Sequence, residues 1–160
     1  MEETKEEKII MAIQWGLWFL FPLSAFVEQV RYTFLKQFGY LLLVFAFILF
    51  ILANKAHSST NKLKLNASPR PNNSAKLVTS GVYAYIRHPI YSSFIQMSFG
   101  IAFLIGTSGS IAVAAISFIF YYFKSRYEEN LLIQKYPDYN PYKERTGRFM
   151  PEIFKLHEHV

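Results

Sequence analysis

The stretch TSGVYAYIRHPIY, Thr79–Tyr91, places arginine, histidine and proline next to each other just before a long uncharged run. Gly81 can adopt a positive φ in a turn at little cost, and Pro89 suits the first position of a helix. Arg87 and His88 would then lie at a helix N-terminus, where free N–H groups and the helix dipole favour an anion. The pattern predicts an anion-binding turn, and the alternative is a helix start with an interfacial arginine and tyrosines.

Two further clusters of polar residues follow the last uncharged run. In KSRYEENLL, Lys124 and Glu128 are four positions apart and share one face of a helix. Glu128 and Glu129 are adjacent, and a carboxylate at this position is either solvated or paired with a cation. The third cluster lies in YPDYNPYKERTGRFMP and contains Tyr139, Tyr142, Arg145 and Arg148. Its alternative interpretation is a solvated basic tail near lipid headgroups.

Several other chemistries have no support in the sequence. The chain has no cysteine, which excludes disulfides, thiolate metal sites and cysteine nucleophiles. It has no Gly-rich phosphate loop, no Gly-x-Ser-x-Gly and no spacing typical of a zinc site, so no metal site is predicted. The net charge of +6 is interpreted as charge that sets membrane orientation, beside anionic lipid, rather than as a nucleic-acid surface.

The elements that must position these residues are indicated by three uncharged runs. They cover Ile9–Val27 (19 residues), Phe38–Ala53 (16 residues) and Ile90–Phe123 (34 residues). A membrane-spanning helix needs about 20 mostly apolar residues, and the third run is divided by GTSGS at 106–110. The sequence predicts an all-α integral membrane bundle of about four transmembrane helices, the last of which leaves the membrane near Lys124. A soluble bundle is disfavoured because soluble helices carry charges on one face.

Charge placement predicts the orientation of this bundle. With four spans, 15 Lys/Arg residues lie on the side that holds both termini and the second loop, and 2 lie on the other. The positive-inside rule therefore predicts cytoplasmic N- and C-termini and a multi-pass protein. The segment 54–76 is predicted to be a polar linker, part of which folds over a ligand. We interpret residues 1–160 as a single domain, with an N-terminal helical hairpin at 1–53 and a cofactor-binding and catalytic region at 54–151.

Together, the three clusters resemble those of the isoprenylcysteine carboxyl methyltransferases and of the wider group that includes phospholipid N-methyltransferases. The resemblance rests on LVTSGVYAYIRHPIY, EENLL and KYPDYNPYKERTGRFMP, which occur in that order. It covers 68–151, about the C-terminal half of the chain. Each motif is weak alone, and their combination is specific.

The resemblance implies a membrane enzyme that uses S-adenosylmethionine, releases S-adenosylhomocysteine and has no Rossmann domain. It implies that the second cytoplasmic loop and the C-terminal segment fold together over this cofactor. The predicted cofactor-binding residues are Leu77, Val78, Tyr83, His88, Pro89, Ile90, Tyr91, Glu128 and Tyr142. The predicted catalytic residues are Arg87, Lys124 and Arg148. Lys124 stands where the carboxyl methyltransferases carry a substrate-binding arginine, and a lysine keeps the charge but loses the bidentate fork.

The chemistry of methyl transfer agrees with these residue types. Displacement at a sulfonium needs mainly the positioning of two reactants. Glu128 can bind the cofactor ammonium, Arg87, Arg148 or the helix N-terminus can bind its carboxylate, and tyrosines can contact the sulfonium through cation–π interactions. The leading acceptor is a prenylcysteine-type carboxylate, and a phospholipid amine or a small thiol is the alternative. A non-enzymatic membrane protein that binds anionic lipid is the alternative from another class.

Overall fold

A computed structural model describes residues 4–27, 33–61 and 75–152 of the chain. Within these ranges every long element is a helix, and the one β-bridge pairs Ile86 with Gly147. The helices are α1 (Lys5–Val27), α2 (Lys36–Asn61), α3 (Pro89–Ile105), α4 (Ser108–Lys135) and α5 (Tyr139–Glu144), with 3₁₀ turns at Thr33–Leu35 and Gly81–Ala84. The prediction of an all-α fold is confirmed.

The turn between α3 and α4 forms where GTSGS predicts it, but it is shorter. Gly106 ends α3 with a φ of 73°, a left-handed conformation that glycine adopts without a side-chain penalty. Thr107 then caps α4: its hydroxyl accepts from the Ser110 N–H at 3.1 Å, while the Ser110 hydroxyl accepts from the Thr107 N–H at 3.2 Å. Because this capping starts α4 at Ser108, most of the predicted turn is already helical.

The predicted start of the polar linker at Asn54 is wrong, because α2 continues to Asn61. The polar side chains of this last part of α2 are satisfied by the helix itself. Asn54 Nδ2 donates to the Phe50 carbonyl at 2.8 Å, and the Ser59 hydroxyl donates to the Ala56 carbonyl at 2.8 Å. The division at residue 53 therefore falls inside a helix. The rest of the predicted linker, 62–74, lies outside the described residues, as does most of the first loop.

The four long helices pack as neighbours that run in opposite directions. α3 lies between α2 and α4, and α1 packs along α4. Phe21 of α1 meets Ala102 of α3 and Ala114 of α4 in one buried cluster. At the other end of the bundle, Ala53 of α2 packs against residues of the Gly81–Ala84 turn region. The beginning of α1, the end of α2, the beginning of α3 and the end of α4 thus share one end of the molecule.

Large apolar side chains cover the outer surface of α1 and α2. Phe19 and Phe26 of α1 are 74% and 89% exposed, and α2 exposes Phe45 and Phe47 in the same way. By length and composition, α1 and α2 can cross a membrane, whereas α3 is apolar but only 17 residues long. These surfaces suit lipid rather than water. The number of four spans stays a prediction.

A close approach of α2 and α3 depends on two glycines. A Cβ added at Gly39 would lie 2.9 Å from the Gly100 carbonyl oxygen, and one added at Gly100 would lie 2.9 Å from the Leu43 side chain. Small residues at such a crossing let two helix backbones approach. α2 and α3 are therefore held at a distance that a single methyl group would disturb.

We expect Gly39→Ala to lower the free energy of unfolding by about 1–3 kcal/mol through overpacking at this crossing. Gly16→Ala is the matched control, because nothing lies within 4 Å of a Cβ at that position in α1. The control should be neutral or should stabilise the helix by up to about 1 kcal/mol. Thermal unfolding in detergent measures both. An equal shift for the two variants would contradict this account of the crossing.

Candidate functional site

The Arg-His-Pro segment is a tight turn that leads directly into α3. Gly81 has a φ of 62° and begins the 3₁₀ turn. His88 is the residue before the helix, and Pro89 is its first residue, as the sequence predicts. Because His88 is 6% exposed, its ring faces the protein interior rather than solvent.

A strip of the C-terminal segment, Thr146–Phe149, is hydrogen-bonded to this turn through the backbone. The N–H groups of Arg87 and His88 donate to the carbonyls of Gly147 and Arg148 at 2.9 and 3.1 Å. The Gly147 N–H donates to the Tyr85 carbonyl at 3.0 Å. We call Thr146–Phe149 the docking strip. It brings the third cluster of the sequence against the first.

Glu129 of α4 joins the turn, α4 and the C-terminal segment in one ion cluster. Its carboxylate lies 2.8 Å from Arg87 Nε, 3.2 Å from His88 Nε2, 3.3 Å from Lys143 Nζ and 2.9 Å from Arg148 Nη2. The side chain is 2% exposed. Buried charges persist only when they are paired and hydrogen-bonded, and here one carboxylate of α4 serves four partners from two other segments.

The protonation state of Glu129 is fixed by these partners. Burial alone would raise its pKa, but the hydrogen bonds from His88 and Arg87 hold the pKa of this carboxyl well below its ordinary value of 4.5. The group lies beyond Lys124, where the predicted span of α4 ends. Arg87 also donates to the carbonyls of Lys143 and Thr146, so it fixes the chain that leads to the docking strip.

Glu128 approaches the same histidine from the other side. Its carboxylate lies 3.6 Å from His88 Nδ1, and its side chain is 23% exposed. Burial raises the pKa of Glu128, and the nearby His88 partly offsets that rise. Tyr91 hydrogen-bonds to this carboxyl, and its ring stacks on His88 at 5.4 Å with an interplanar angle of 3°. The His88 ring is thus held between two glutamates.

Three buried tyrosines, Tyr83, Tyr139 and Tyr142, lie beside the two glutamates. The Tyr142 hydroxyl donates to the Tyr83 carbonyl at 2.8 Å, and the Tyr139 and Tyr142 rings are 5.8 Å apart. Burial raises the pKa of all three phenols, so they stay protonated. The Tyr139 hydroxyl and Arg148 Nη1 are buried without a hydrogen-bond partner. Buried donors of this kind suit the polar groups of a ligand, so the site fits a small charged cofactor.

The structure brings most of the predicted site residues to this one place. Of the predicted cofactor-binding residues, Val78, Tyr83 and Ile90 pack with Ala53 at the end of α2, and Leu77 adjoins them in the chain. Pro89 is fully buried. Each residue's part in binding or catalysis stays a prediction, because contacts within the protein do not assign it.

Lys124 lies deeper in the bundle than the two glutamates. It is 3% exposed, its Nζ lies 2.5 Å from Gln14 Oε1 of α1, and it stands 5.2 Å from the centre of the Tyr91 ring. The sequence interpretation missed Gln14, as well as Glu129 and Lys143 as ion partners. A signal existed for Glu129, which is next to Glu128, but Gln14 is an isolated amide in an uncharged run.

Comparison with known families gives one match over most of the chain. A family model described as phospholipid methyltransferase matches residues 34–139, more than half of the chain. The matched region includes the Arg-His-Pro turn and both glutamates. It ends before Lys143 and before the docking strip.

Two curated relatives are similar to part of the chain. The cobalt-zinc-cadmium resistance protein CzcN of Cupriavidus metallidurans is 33% identical over 90 residues, which cover 56% of this chain and 41% of that protein. The nickel-cobalt-cadmium resistance protein NccN of Alcaligenes xylosoxydans xylosoxydans is 31% identical over 81 residues, which cover 50% and 38%. The matched segments therefore span about two fifths of these relatives.

A solved structure shares the fold. The eukaryotic intramembrane Ras methyltransferase, an isoprenylcysteine carboxyl methyltransferase, aligns with a TM-score of 0.61 and 22% identity. The alignment covers 96% of this chain and 55% of the other. The helical arrangement described above is thus one that an intramembrane methyltransferase also uses.

Proposed function

We propose that this chain, which belongs to the phospholipid methyltransferase family and is a membrane methyltransferase, uses S-adenosylmethionine as its methyl donor. We propose a lipid-like molecule as its acceptor. The donor supplies an electrophilic methyl group on a sulfonium. The chain spans about half the length of the solved neighbour and less of the curated relatives. Donor, acceptor and partners are therefore our proposals.

One observation carries the choice of site. His88 touches both Glu128 and Glu129, so the turn before α3, the end of α4 and the docking strip meet around one ring. These three segments hold the three polar clusters of the sequence. A donor with an ammonium, a carboxylate and a flat purine needs such a mixture of carboxylates, cations and aromatic rings.

We assign roles to the residues by charge. Glu128, which is less committed to protein cations than Glu129, binds the donor ammonium. The unpartnered Nη1 of Arg148 and the Tyr139 hydroxyl bind the donor carboxylate. Tyr91, whose ring lies between His88 and the Lys124 ammonium, holds the His88 ring beside the donor. Glu129 and Arg87 hold these groups in place.

The acceptor we favour is a prenylcysteine-type carboxylate. Its ionised oxygen can attack the methyl carbon without a base, while an amine must first lose a proton. The buried Lys124 supplies a cation for such a carboxylate. A phospholipid amine, which the family name suggests, and a small thiol are the alternatives. Both termini are proposed to be cytoplasmic, which puts the site where a water-soluble donor can reach it.

Binding of S-adenosylhomocysteine to the purified protein tests the proposed donor. We expect saturable binding that Glu128→Ala or His88→Ala weakens by about 10–150-fold, because a charge-assisted contact contributes about 1.5–3 kcal/mol. Glu144→Ala, which removes an exposed glutamate at the end of α5, is the matched control and should bind normally. Calorimetry or equilibrium dialysis measures the affinities.

The outcomes separate the function classes. Absence of saturable S-adenosylhomocysteine binding by the unaltered protein would favour a membrane protein that only binds anionic lipid. If binding occurs, a labelled methyl group should move to an acceptor in membrane extracts. A base-labile product indicates an ester, and a base-stable product indicates a methylated amine.

A further inference from the structure

The first helix lies outside the family match, which begins at residue 34, yet it contributes a polar side chain to the bundle interior. Gln14 is 7% exposed and its amide oxygen accepts from the Lys124 ammonium at 2.5 Å. Through this contact, α1 helps to fix the position of a buried cation. A buried charge is costly unless it is paired and hydrogen-bonded, and Gln14 supplies one of the hydrogen bonds of this ammonium.

The same ammonium adjoins the methyl-transfer site. It lies over the Tyr91 ring, which stacks on His88. Lys124 and Glu128 are one helical turn apart on the same face of α4. A continuous series of contacts therefore runs from Gln14 through Lys124 and Tyr91 to the histidine between the glutamates.

Aromatic rings from several helices extend away from this cation into the bundle. Trp18 lies one turn after Gln14 on the same face of α1 and contacts Phe94 of α3, with ring centres 6.4 Å apart. Phe94 also contacts Phe50 of α2 at 5.9 Å and Tyr121 of α4 at 5.8 Å. A cation next to an aromatic surface matches an amphiphile with an anionic head and a hydrocarbon chain.

We propose that Gln14 is a positioning residue that orients the Lys124 ammonium towards the acceptor, which makes α1 part of the acceptor site. This inference rests on the proposed function and deepens it. A lysine side chain is flexible, and the neutral amide oxygen holds it without cancelling its charge. Because an ammonium has three N–H donors, it can bind Gln14 and an acceptor oxygen together.

The charge that Gln14 preserves selects the acceptor. A carboxylate is attracted to the ammonium, and a protonated amine is repelled by it, more strongly in a buried site than in water. In the transfer, an acceptor carboxylate oxygen bonds to the methyl carbon as the carbon–sulfur bond breaks. The electron pair of that bond goes to sulfur, no proton moves, and Lys124 keeps its charge throughout.

Gln14→Glu tests this role because it keeps the contact between α1 and α4 but places a carboxylate beside the ammonium, so that the net charge of the pair is zero. We expect the KM for N-acetyl-S-farnesylcysteine to rise at least about tenfold, which corresponds to one weakened charge interaction. The Kd of S-adenosylhomocysteine and the thermal midpoint should stay close to those of the unaltered protein. Gln14→Leu, which removes only this contact of the lysine, should give a smaller rise in KM.

A second probe, S-farnesylcysteamine, ends in an amine instead of a carboxylate and serves as the matched acceptor. Gln14→Glu should lower the preference of the enzyme for the carboxylate probe over this amine. An unchanged KM of Gln14→Glu for the carboxylate probe would overturn the role of Gln14 and leave methyl transfer intact. Methylation of only the amine probe by the unaltered protein would do the same. Failure of the unaltered protein to bind S-adenosylhomocysteine and to methylate either probe would instead overturn the proposed function itself, and this inference with it.

Discussion

Glu129→Gln is expected to weaken S-adenosylhomocysteine binding by at least about 100-fold and to lower the thermal midpoint. The substitution keeps the shape of the side chain but removes the charge that pairs with Arg87, Lys143 and Arg148. Breaking a buried ion pair by removal of one partner costs about 3–5 kcal/mol. The docking strip would lose its ionic contact with α4, and the residues of the strip would no longer be held at the proposed donor site. Calorimetric titration and thermal unfolding measure the two effects.

The control is Glu144→Gln, which makes the same change at an exposed position. The difference in stability between the unaltered protein and Glu129→Gln should also depend on pH. Because the folded protein holds the pKa of Glu129 well below 4.5, the contribution of this group is complete above that pH and declines as the pH falls below it. If the difference in stability between the two proteins is the same at neutral and at acidic pH, the ion cluster does not stabilise the fold as described.

Gly147→Ala is expected to detach the docking strip while the four long helices stay folded. A Cβ at this position would lie 1.7 Å from the Met150 carbonyl oxygen, and backbone cannot rotate away as a side chain can. The three backbone hydrogen bonds between the strip and the turn would be lost. Each of these bonds contributes about 0.5–1.5 kcal/mol. If the strip is part of the donor site, the loss of all three should lower donor affinity by about tenfold to a thousandfold.

Two measurements test this detachment. Trypsin should cleave Gly147→Ala near Arg145 and Arg148 faster than the unaltered protein, and the helical circular dichroism should be the same for both. Gly109→Ala is the control, because a Cβ in α4 at that position meets only ordinary van der Waals contacts at 3.6 Å or more. Normal donor binding by Gly147→Ala would show that the strip is not part of the site.

Hydropathy alone was sufficient to predict the four long helices, but neither their ends nor the short helix α5. The uncharged runs indicate α1, α3 and α4, and Pro89 and Gly106 mark where α3 begins and ends. The end of α2 could not be predicted from composition, because its asparagine and serine side chains bond to their own helix. A polar segment that satisfies its own side chains can continue a helix where composition indicates a loop.

The sequence also indicated which segments meet at the candidate site, but not which partners each of the two glutamates contacts. Glu128 and Glu129 are about 100° apart around α4, and their neighbours depend on where the docking strip lies. That position is a tertiary property, set by backbone contacts with the turn before α3. Gln14 was beyond prediction for the same reason, since its partner Lys124 belongs to the last long helix.

The ion cluster around Glu129 extends past the segment that the family model matches. Two of its cations, Lys143 and Arg148, lie past residue 139, where the match to the family model ends. The matched segment is therefore shorter than the segment that this ion cluster ties together.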